Sequence, residues 1–244
     1  MSRWLFYGGI PYTNTKSLQL TGGDYVTLGN VIDYTSGTAR SWTGYVYLSS
    51  LKVQAFVSKR DGTGNGFQFY TAANGAVYLY IQGSGGNLFF RTPLSVVGSG
   101  AWYHVAVCQS STWTVAGSKI YVNAVDQTLT TITDAFSGSA TNTADMRYAG
   151  HKNNSAYDLD GRLHRGVFWS KQLSAAEVSE DMGLKTTTGL LAHSAAANII
   201  SYHRFGNDPQ DDATGGTGVM YDRVGGYNGT PVGTVSGDII TSAP

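Results

Sequence analysis

Residues 158–182, DLDGRLHRGVFWSKQLSAAEVSEDM, place a tight turn, an apolar strand and a short helix in direct succession. Asp160-Gly161 is a turn dipeptide, and the apolar run at 163–169 that follows it predicts a strand. Ser174 and Glu177 have the spacing of a capping box, in which the two side chains satisfy free amides at a helix start. Gly183 predicts the end of that helix. The segment therefore predicts one strand followed by one short capped helix.

The composition favours many short strands over helices. The 244 residues include 32 glycines and 16 tyrosines, and only 13% of them are charged, whereas a helical protein carries more Glu, Lys and Leu. Apolar runs bounded by turn residues predict strands near 18–20, 25–28, 41–48, 52–59, 66–71, 76–82, 87–91, 102–109, 118–123, 145–150 and 162–169.

Three stretches carry a resemblance to a known family. Residues 17–28, SLQLTGGDYVTL, resemble the opening strand pair of the laminin-G-like or concanavalin A-like jelly-roll family, and residues 102–107, WYHVAV, followed by 119–124, KIYVNA, resemble its middle strands. Residues 158–182 resemble its closing motif, and the three matches occur in the family's order. The resemblance implies an all-β fold, a jelly-roll β-sandwich of two antiparallel sheets with one short helix.

This resemblance divides the chain into three parts. Residues 1–16 are expected to form an N-terminal arm, either an edge strand or a subunit contact, and residues 17–182 to form the sandwich. Residues 183–244 are expected to form a C-terminal extension that packs on the sandwich beside its first strand, since residues 201–205 and 222–230 resemble family strands, with His203 where Trp is usual. The alternative is a separate second domain.

Charge and cysteine content narrow the choice of partner and compartment. The net charge is zero, so the chain lacks the basic character expected of a protein that binds nucleic acid or an anionic membrane. Cys108 is the single cysteine, which excludes an intrachain disulfide. The N-terminus has too short an apolar run for a signal peptide, and no stretch is long enough to insert in a membrane. We therefore expect synthesis in a cytoplasm.

Laminin-G-like sandwiches normally act outside cells, and a virion protein would reconcile that setting with synthesis in a host cytoplasm. Residues 190–206, 221–230 and 237–244 resemble the endings of laminin-G-like proteins encoded by marine tailed phages. The resemblance implies a location on a virion surface, as a capsid decoration or as a tail or fibre component. The implied partners are other virion proteins and further copies of the chain.

The sequence argues against an enzyme. Glycoside hydrolysis needs two carboxylates that flank the scissile bond, and the laminarinase-like branch of the family supplies them as glutamates of one strand. This chain has only Glu177 and Glu180, both in the predicted helix. The five histidines lack a zinc-ligand spacing, and there is no nucleophile elbow or phosphate loop. We predict no catalytic residues.

Asp24, Asp158 and Asp160 are the candidate metal ligands. Many relatives bind calcium near the opening hairpin and the closing turn, and hard cations prefer several oxygen ligands. The other interpretation is that Asp24 and Asp160 are simply turn residues beside glycine. His164 and Arg165 stand where relatives often carry a carboxylate, which argues against a strong site. No cofactor is required, and calcium stays an open alternative.

Aromatic residues are the remaining lead, because sugar rings stack on Tyr and Trp while nearby Asn and Asp bind hydroxyls. The candidates for binding glycan are Trp113, Asn153, Asn154 and Tyr157, chosen from a wider set that includes Tyr70, Asn74, Tyr78 and Tyr80. The other interpretation places these aromatics in the core or in a subunit interface. The chain is thus predicted to be a non-enzymatic virion surface protein that binds other subunits and surface glycans, with a free glycan-binding lectin as the alternative and a hydrolase as a third.

Overall fold

A computed structural model describes residues 15–35, 37–60, 64–152, 154–184 and 189–244. Sixteen strands and one α-helix are found in these residues. In chain order the strands are β1 (Lys16–Thr21), β2 (Tyr25–Gly29), β3 (Arg40–Leu48), β4 (Gln54–Arg60), β5 (Gly66–Thr71), β6 (Val77–Gly83), β7 (Gly86–Arg91), β8 (Trp102–Gln109), β9 (Ser118–Val122), β10 (Val125–Asp126), β11 (Thr130–Asp134), β12 (Met146–Tyr148), β13 (Asp160–Trp169), β14 (Ile199–His203), β15 (Thr230–Val232) and β16 (Ile239–Thr241).

The helix α1 (Ala175–Gly183) follows β13 at the predicted place. Its N-cap, Ser174, accepts a hydrogen bond from the Glu177 amide, and the Glu177 carboxylate accepts one from the Ser174 amide. Short 3₁₀ turns form at Ser155–Tyr157, Leu190–Ala192, Ala196–Asn198 and Ser236–Asp238. None of the described helices has the length and apolar character of a membrane span.

The strands form two antiparallel eight-stranded sheets, which confirms the predicted β-sandwich. The first sheet has the order β10-β9-β8-β3-β13-β1-β16, with β14 also paired to β13, and the second has the order β11-β7-β6-β5-β4-β12-β2-β15. The alternation of side chains along each strand turns one row of each sheet inward. Trp42 and Val107 of the first sheet and Phe69, Leu79 and Phe90 of the second belong to the buried core between them.

The outer face of the first sheet is covered by α1. Val178 of the helix packs with Ala106, Val167 and Trp169 in a second, smaller apolar cluster. Full burial of one such large side chain stabilises the fold by about 1.5–3 kcal/mol. Because the helix occupies this side, the outer face of the second sheet is the broad strand surface that stays open.

The residues after the helix add strands to both sheets. β14 pairs with β13 and β16 with β1 in the first sheet, while β15 pairs with β2 in the second. Asp222 anchors the loop between β14 and β15, since its carboxylate accepts hydrogen bonds from the amides of Tyr202, Val224, Gly225 and Tyr227. This tail is therefore continuous with the sandwich. Of the predicted N-terminal arm, residues 1–14 lie outside the described residues.

Candidate functional site

The open face of the second sheet carries a cluster of aromatic side chains. In β5, β6 and β7 every second residue points away from the core, and in the centre of the face these residues are Gln68, Tyr70, Tyr78, Tyr80 and Phe89. The strand register brings them together, because Tyr70 pairs with Tyr78, and Tyr80 lies between Gln68 and Phe89. Paired residues on one face of a sheet are close enough for their rings to touch.

These side chains line a cleft of about 400 Å³. Its walls are formed by Val53, Arg60, Gln68, Tyr70, Ala72, Tyr78, Tyr80, Phe89 and Tyr157. Tyr157 comes from the 3₁₀ turn before β13, so a residue distant in sequence closes one end of a surface built by consecutive strands. The volume lies within the range of small-ligand sites, about 300–1,000 Å³.

The rings form a continuous platform. The Tyr70 and Tyr78 rings are stacked, with centroids 4.9 Å apart and planes at 12°. Phe89 connects this pair to Tyr80, because its ring centroid lies 6.0 Å from that of Tyr78 and 5.2 Å, edge-on, from that of Tyr80. The four rings therefore form one aromatic cluster in the lining of the cleft, and three of them carry phenol oxygens.

Hydrogen bonds hold two of the phenols in place. Asn74 Nδ2 donates to the Tyr78 hydroxyl at 2.9 Å, and the Tyr80 hydroxyl donates to Gln82 Oε1 at 2.6 Å. Burial, reinforced by the neighbouring phenols of Tyr78 and Tyr157, raises the pKa of the Tyr70 phenol well above its usual range. Tyr70 thus stays protonated at ordinary pH, and its hydroxyl can donate to a ligand.

Two side chains of the cleft, Arg60 and Gln68, bring N–H donors to it. Arg60 lies over the Tyr80 ring, with its Cζ 4.4 Å from the centroid, the geometry of a cation–π contact. Gln68 is 3% exposed, and its Nε2 has no hydrogen-bond partner among the described residues. None of the residues that line the cleft is acidic.

Comparison with known proteins identifies the family of this fold. The model of the concanavalin A-like lectin/glucanases superfamily, in its Laminin_G_3 form, matches residues 20–179. The chain belongs to this superfamily. No curated protein sequence matches the chain.

Solved structures of similar fold agree with this assignment to the superfamily. A putative carbohydrate-binding protein from Bacteroides ovatus has a TM-score of 0.62 and 17% identity, and the match covers 95% of this chain and 61% of that one. The CBM40 of the Ruminococcus gnavus IT-sialidase, bound to α2,3-sialyllactose, has a TM-score of 0.50 and 13% identity over 70% of this chain and all (100%) of that one. The NanB sialidase of Streptococcus pneumoniae has a TM-score of 0.52 and 18% identity over 69% of this chain and 28% of that one. At these identities the likeness is one of fold.

The predicted glycan-binding residues of this superfamily member have different surroundings. Tyr157 lines the aromatic cleft. Asn154 is exposed and caps the adjacent 3₁₀ turn through a bond from the Ala156 amide, while Asn153 lies outside the described residues. Trp113 is 2% exposed, packs against Tyr34 and Phe136, and donates from Nε1 to the Thr38 carbonyl at 2.9 Å.

Trp113 is therefore a core residue and offers no ring face to a sugar, which corrects its selection as a candidate for binding glycan. A sequence of polar neighbours does not reveal this burial, because the contacts of the indole with Tyr34, Phe136 and Thr38 come from residues distant along the chain.

The three candidate calcium ligands act as turn and loop residues. Asp24 accepts hydrogen bonds from the amide and hydroxyl of Thr21, Asp158 accepts one from the His151 amide, and Asp160 accepts one from the Ser50 hydroxyl. Burial raises the pKa of Asp158. No group of three or more acidic, His or Cys side chains able to hold a metal occurs within the described ranges. Each of the three carboxylates thus accepts a local hydrogen bond, and calcium is not carried into the proposed function.

Arg60, Gln68 and Phe89 of the cleft were not singled out from the sequence. Gln68 and Phe89 occupy outward positions of predicted strands, so their direction could be read from the alternation, whereas Arg60 comes directly after the predicted strand 52–59 and belongs to β4 in the structure. That the three residues lie in one cleft could not be predicted from the sequence, because this depends on which strands pair and in what register.

Proposed function

We propose that this protein is a non-catalytic glycan-binding protein and that the aromatic cleft of the second sheet is its ligand site. The observation that supports this most directly is the platform of Tyr70, Tyr78, Tyr80 and Phe89 on an open sheet face. The C–H faces of pyranose rings pack on aromatic rings, while phenols and amides bind the hydroxyls. The similar fold of a CBM40 bound to α2,3-sialyllactose supports the same chemistry.

Replacement of one platform ring tests the proposal. Tyr78→Ala removes the ring that contacts both Tyr70 and Phe89, and we expect about a tenfold loss of affinity, equivalent to about 1.4 kcal/mol. The measurement is binding to a printed array of neutral and acidic oligosaccharides, followed by calorimetry on the best ligand. Tyr47→Ala is the matched control, because Tyr47 is a half-exposed tyrosine on the outer face of the first sheet. Equal loss in both variants would contradict the assignment of the site.

The carboxylates of α1 support a non-enzymatic role. Glu177 is bound to Ser174 and Lys171, and Glu180 to Ser194, so both glutamates serve local structure. With no acidic residue in the lining, the cleft lacks the pair of carboxylates that glycoside hydrolysis uses. Incubation of the protein with its array ligands should release no new reducing ends. Release that disappears in Tyr78→Ala would show a hydrolase.

We propose in addition that the protein acts on the surface of a phage virion, as a capsid decoration or in a tail or fibre. The resemblance of residues 190–206, 221–230 and 237–244 to endings of phage-encoded proteins supports this setting. So does β11, which forms an edge of the second sheet with Ile132 exposed, since edge strands can pair with another chain. A free lectin is the alternative.

Solution mass separates the two settings. We expect a defined oligomer by light scattering, and Ile132→Lys should reduce its mass if β11 forms the contact. Thr131→Lys is the control for added charge, because Thr131 is an exposed neighbour of Ile132 in the same strand. A monomer at all concentrations would favour the free lectin.

A further inference from the structure

We propose that the cleft selects glycans that carry a negatively charged group, a carboxylate or a sulfate, and that Arg60 and Gln68 make this selection. This inference rests on the proposed glycan binding and names its substrate class. The cleft has more hydrogen-bond donors than its own residues satisfy, because the buried polar atoms of its lining that lack a partner are N–H groups. The lining also contains one arginine and no acidic residue.

Arg60 supplies the charge. Its guanidinium is held over Tyr80, and within the described ranges no carboxylate oxygen lies within ion-pair distance of it. Its Nε is buried without an acceptor. Arginine binds carboxylate and sulfate oxygens through its planar set of donors. Because the Arg60 side chain is already held against the Tyr80 ring, it loses little conformational entropy when it binds a ligand.

Gln68 supplies a second donor beside that charge. It lies between Tyr80 on β6 and Ser58 on β4, but neither hydroxyl accepts from it, and its Nε2 has no hydrogen-bond partner among the described residues. A buried donor without a partner is unfavourable until an acceptor arrives. A ligand rich in acceptors therefore completes the hydrogen bonding of the cleft, and an anionic ligand also supplies the counter-charge for Arg60 that a neutral sugar hydroxyl does not.

Arg60 is the cation in the lining of the cleft, and Arg91, which pairs with Tyr78 on the same face, lies outside that lining and donates to the Thr92 carbonyl. Arg147 of β12 pairs with Ser58 of β4, and its Cζ lies 4.1 Å from the centroid of the Tyr25 ring. Its positive charge acts on Asp158, whose pKa it lowers against the raising effect of burial. Arg60 is therefore the charged residue that a ligand in the cleft would contact.

Matched pairs of probes that differ in charge test the selection. The pairs are 3′-sialyllactose with lactose, polygalacturonate with its methyl ester, and dextran sulfate with dextran. We expect the full-length protein to bind the charged member of at least one pair about tenfold more tightly, and the pair that responds identifies carboxylate or sulfate. Arg60→Met should reduce this ratio to near one, Gln68→Leu should lower it in part, and Arg60→Lys should retain most of it.

Arg162→Met is the control, because Arg162 lies on the outer face of the first sheet and its loss changes the net charge equally. Equal affinities within every pair would overturn the selection and leave glycan binding standing. If Arg162→Met also lost the preference for the charged probe, the preference would depend on the net charge of the protein, and selection by Arg60 would be overturned. Absence of binding to either member of any pair, in the probes and on the array, would instead reject the proposed function. Thermal unfolding of each variant confirms that it is folded.

Discussion

Asp181 is the residue that connects α1 to the first sheet. Its side chain is fully buried, with Oδ2 2.8 Å from His104 Nε2 and Oδ1 2.8 Å from an Arg165 Nη2. The same Arg165 nitrogen donates to the Asp181 carbonyl. These contacts give the buried His104 a structural role. An ion pair inside a protein is strongly destabilising to break, because the remaining charge has no water.

Asp181→Asn should therefore lower the free energy of unfolding by about 3–5 kcal/mol, since it leaves Arg165 buried without a counter-charge. Urea unfolding followed by fluorescence measures the change. Asp126→Asn is the control, because Asp126 pairs with Lys119 on the surface and its loss should change stability by less than about 1 kcal/mol. If the two variants lost similar free energy of unfolding, the buried ion pair would contribute no more to stability than the surface pair.

The pH dependence of stability follows from the same group. Burial alone would raise the pKa of Asp181, but the charge of Arg165 and the bond from His104 lower it to about 2, from 3.8 in the unfolded chain. The stabilisation is therefore complete above the unfolded value and is lost as the pH falls from about 4 towards 2. Burial lowers the pKa of His104, so protonation of the unfolded chain below 6.5 acts in the same direction.

We expect the stability difference between the natural chain and Asp181→Asn to be clearly smaller at about pH 3 than at about pH 7. Urea unfolding at both values measures it. A difference that does not change with pH would mean that Asp181 acts by shape and not by charge.

At the scale of elements, the sequence located strands and the helix well but not their partners. The capping box at Ser174 and Glu177 is a local pattern, and the structure contains it. The outward positions of β5 and β6 also follow from alternation within each strand. The cleft depends on Tyr70 pairing with Tyr78, and on Tyr157 arriving from a turn about eighty residues later in the chain, contacts that no local pattern encodes.

Ser174→Ala should lower the free energy of unfolding by about 1 kcal/mol, because the Glu177 amide loses its acceptor at the start of α1. Thermal unfolding measures the change. Ser179→Ala, in the exposed middle of the same helix, should be neutral or slightly stabilising, since alanine has the higher helix propensity. Equal behaviour of the two variants would show that the cap contributes nothing.

At the scale of the whole molecule, the tail after α1 belongs to both sheets. β14 and β16 pair with strands of the first sheet and β15 with a strand of the second. Phe205 is fully buried against Tyr148 of β12, with ring centroids 5.0 Å apart. Removal of the tail would uncover three strand edges and open the core.

A chain that ends after Leu184 should therefore lose cooperative unfolding and aggregate. Circular dichroism during heating and light scattering measure both effects. A chain that ends after Ser242 keeps β16 and the bond from Arg162 to Ser242, and it should unfold like the full chain. A stable, monomeric fragment ending at Leu184 would support the alternative of two separate domains.

The sequence by itself determined most of the strands, though not β10 or β11, together with the capped helix and the fold family, because alternation, turn residues and capping are properties of neighbours along the chain. It also showed that the chain has two glutamates, Glu177 and Glu180, and that both belong to one helix. Only the tertiary structure decided which aromatics are exposed: Trp113 became core, and Tyr70, Tyr78, Tyr80 and Phe89 became a surface. The physical reason is that register between strands, and the cover that α1 gives to one sheet alone, determine which side chains remain in contact with solvent.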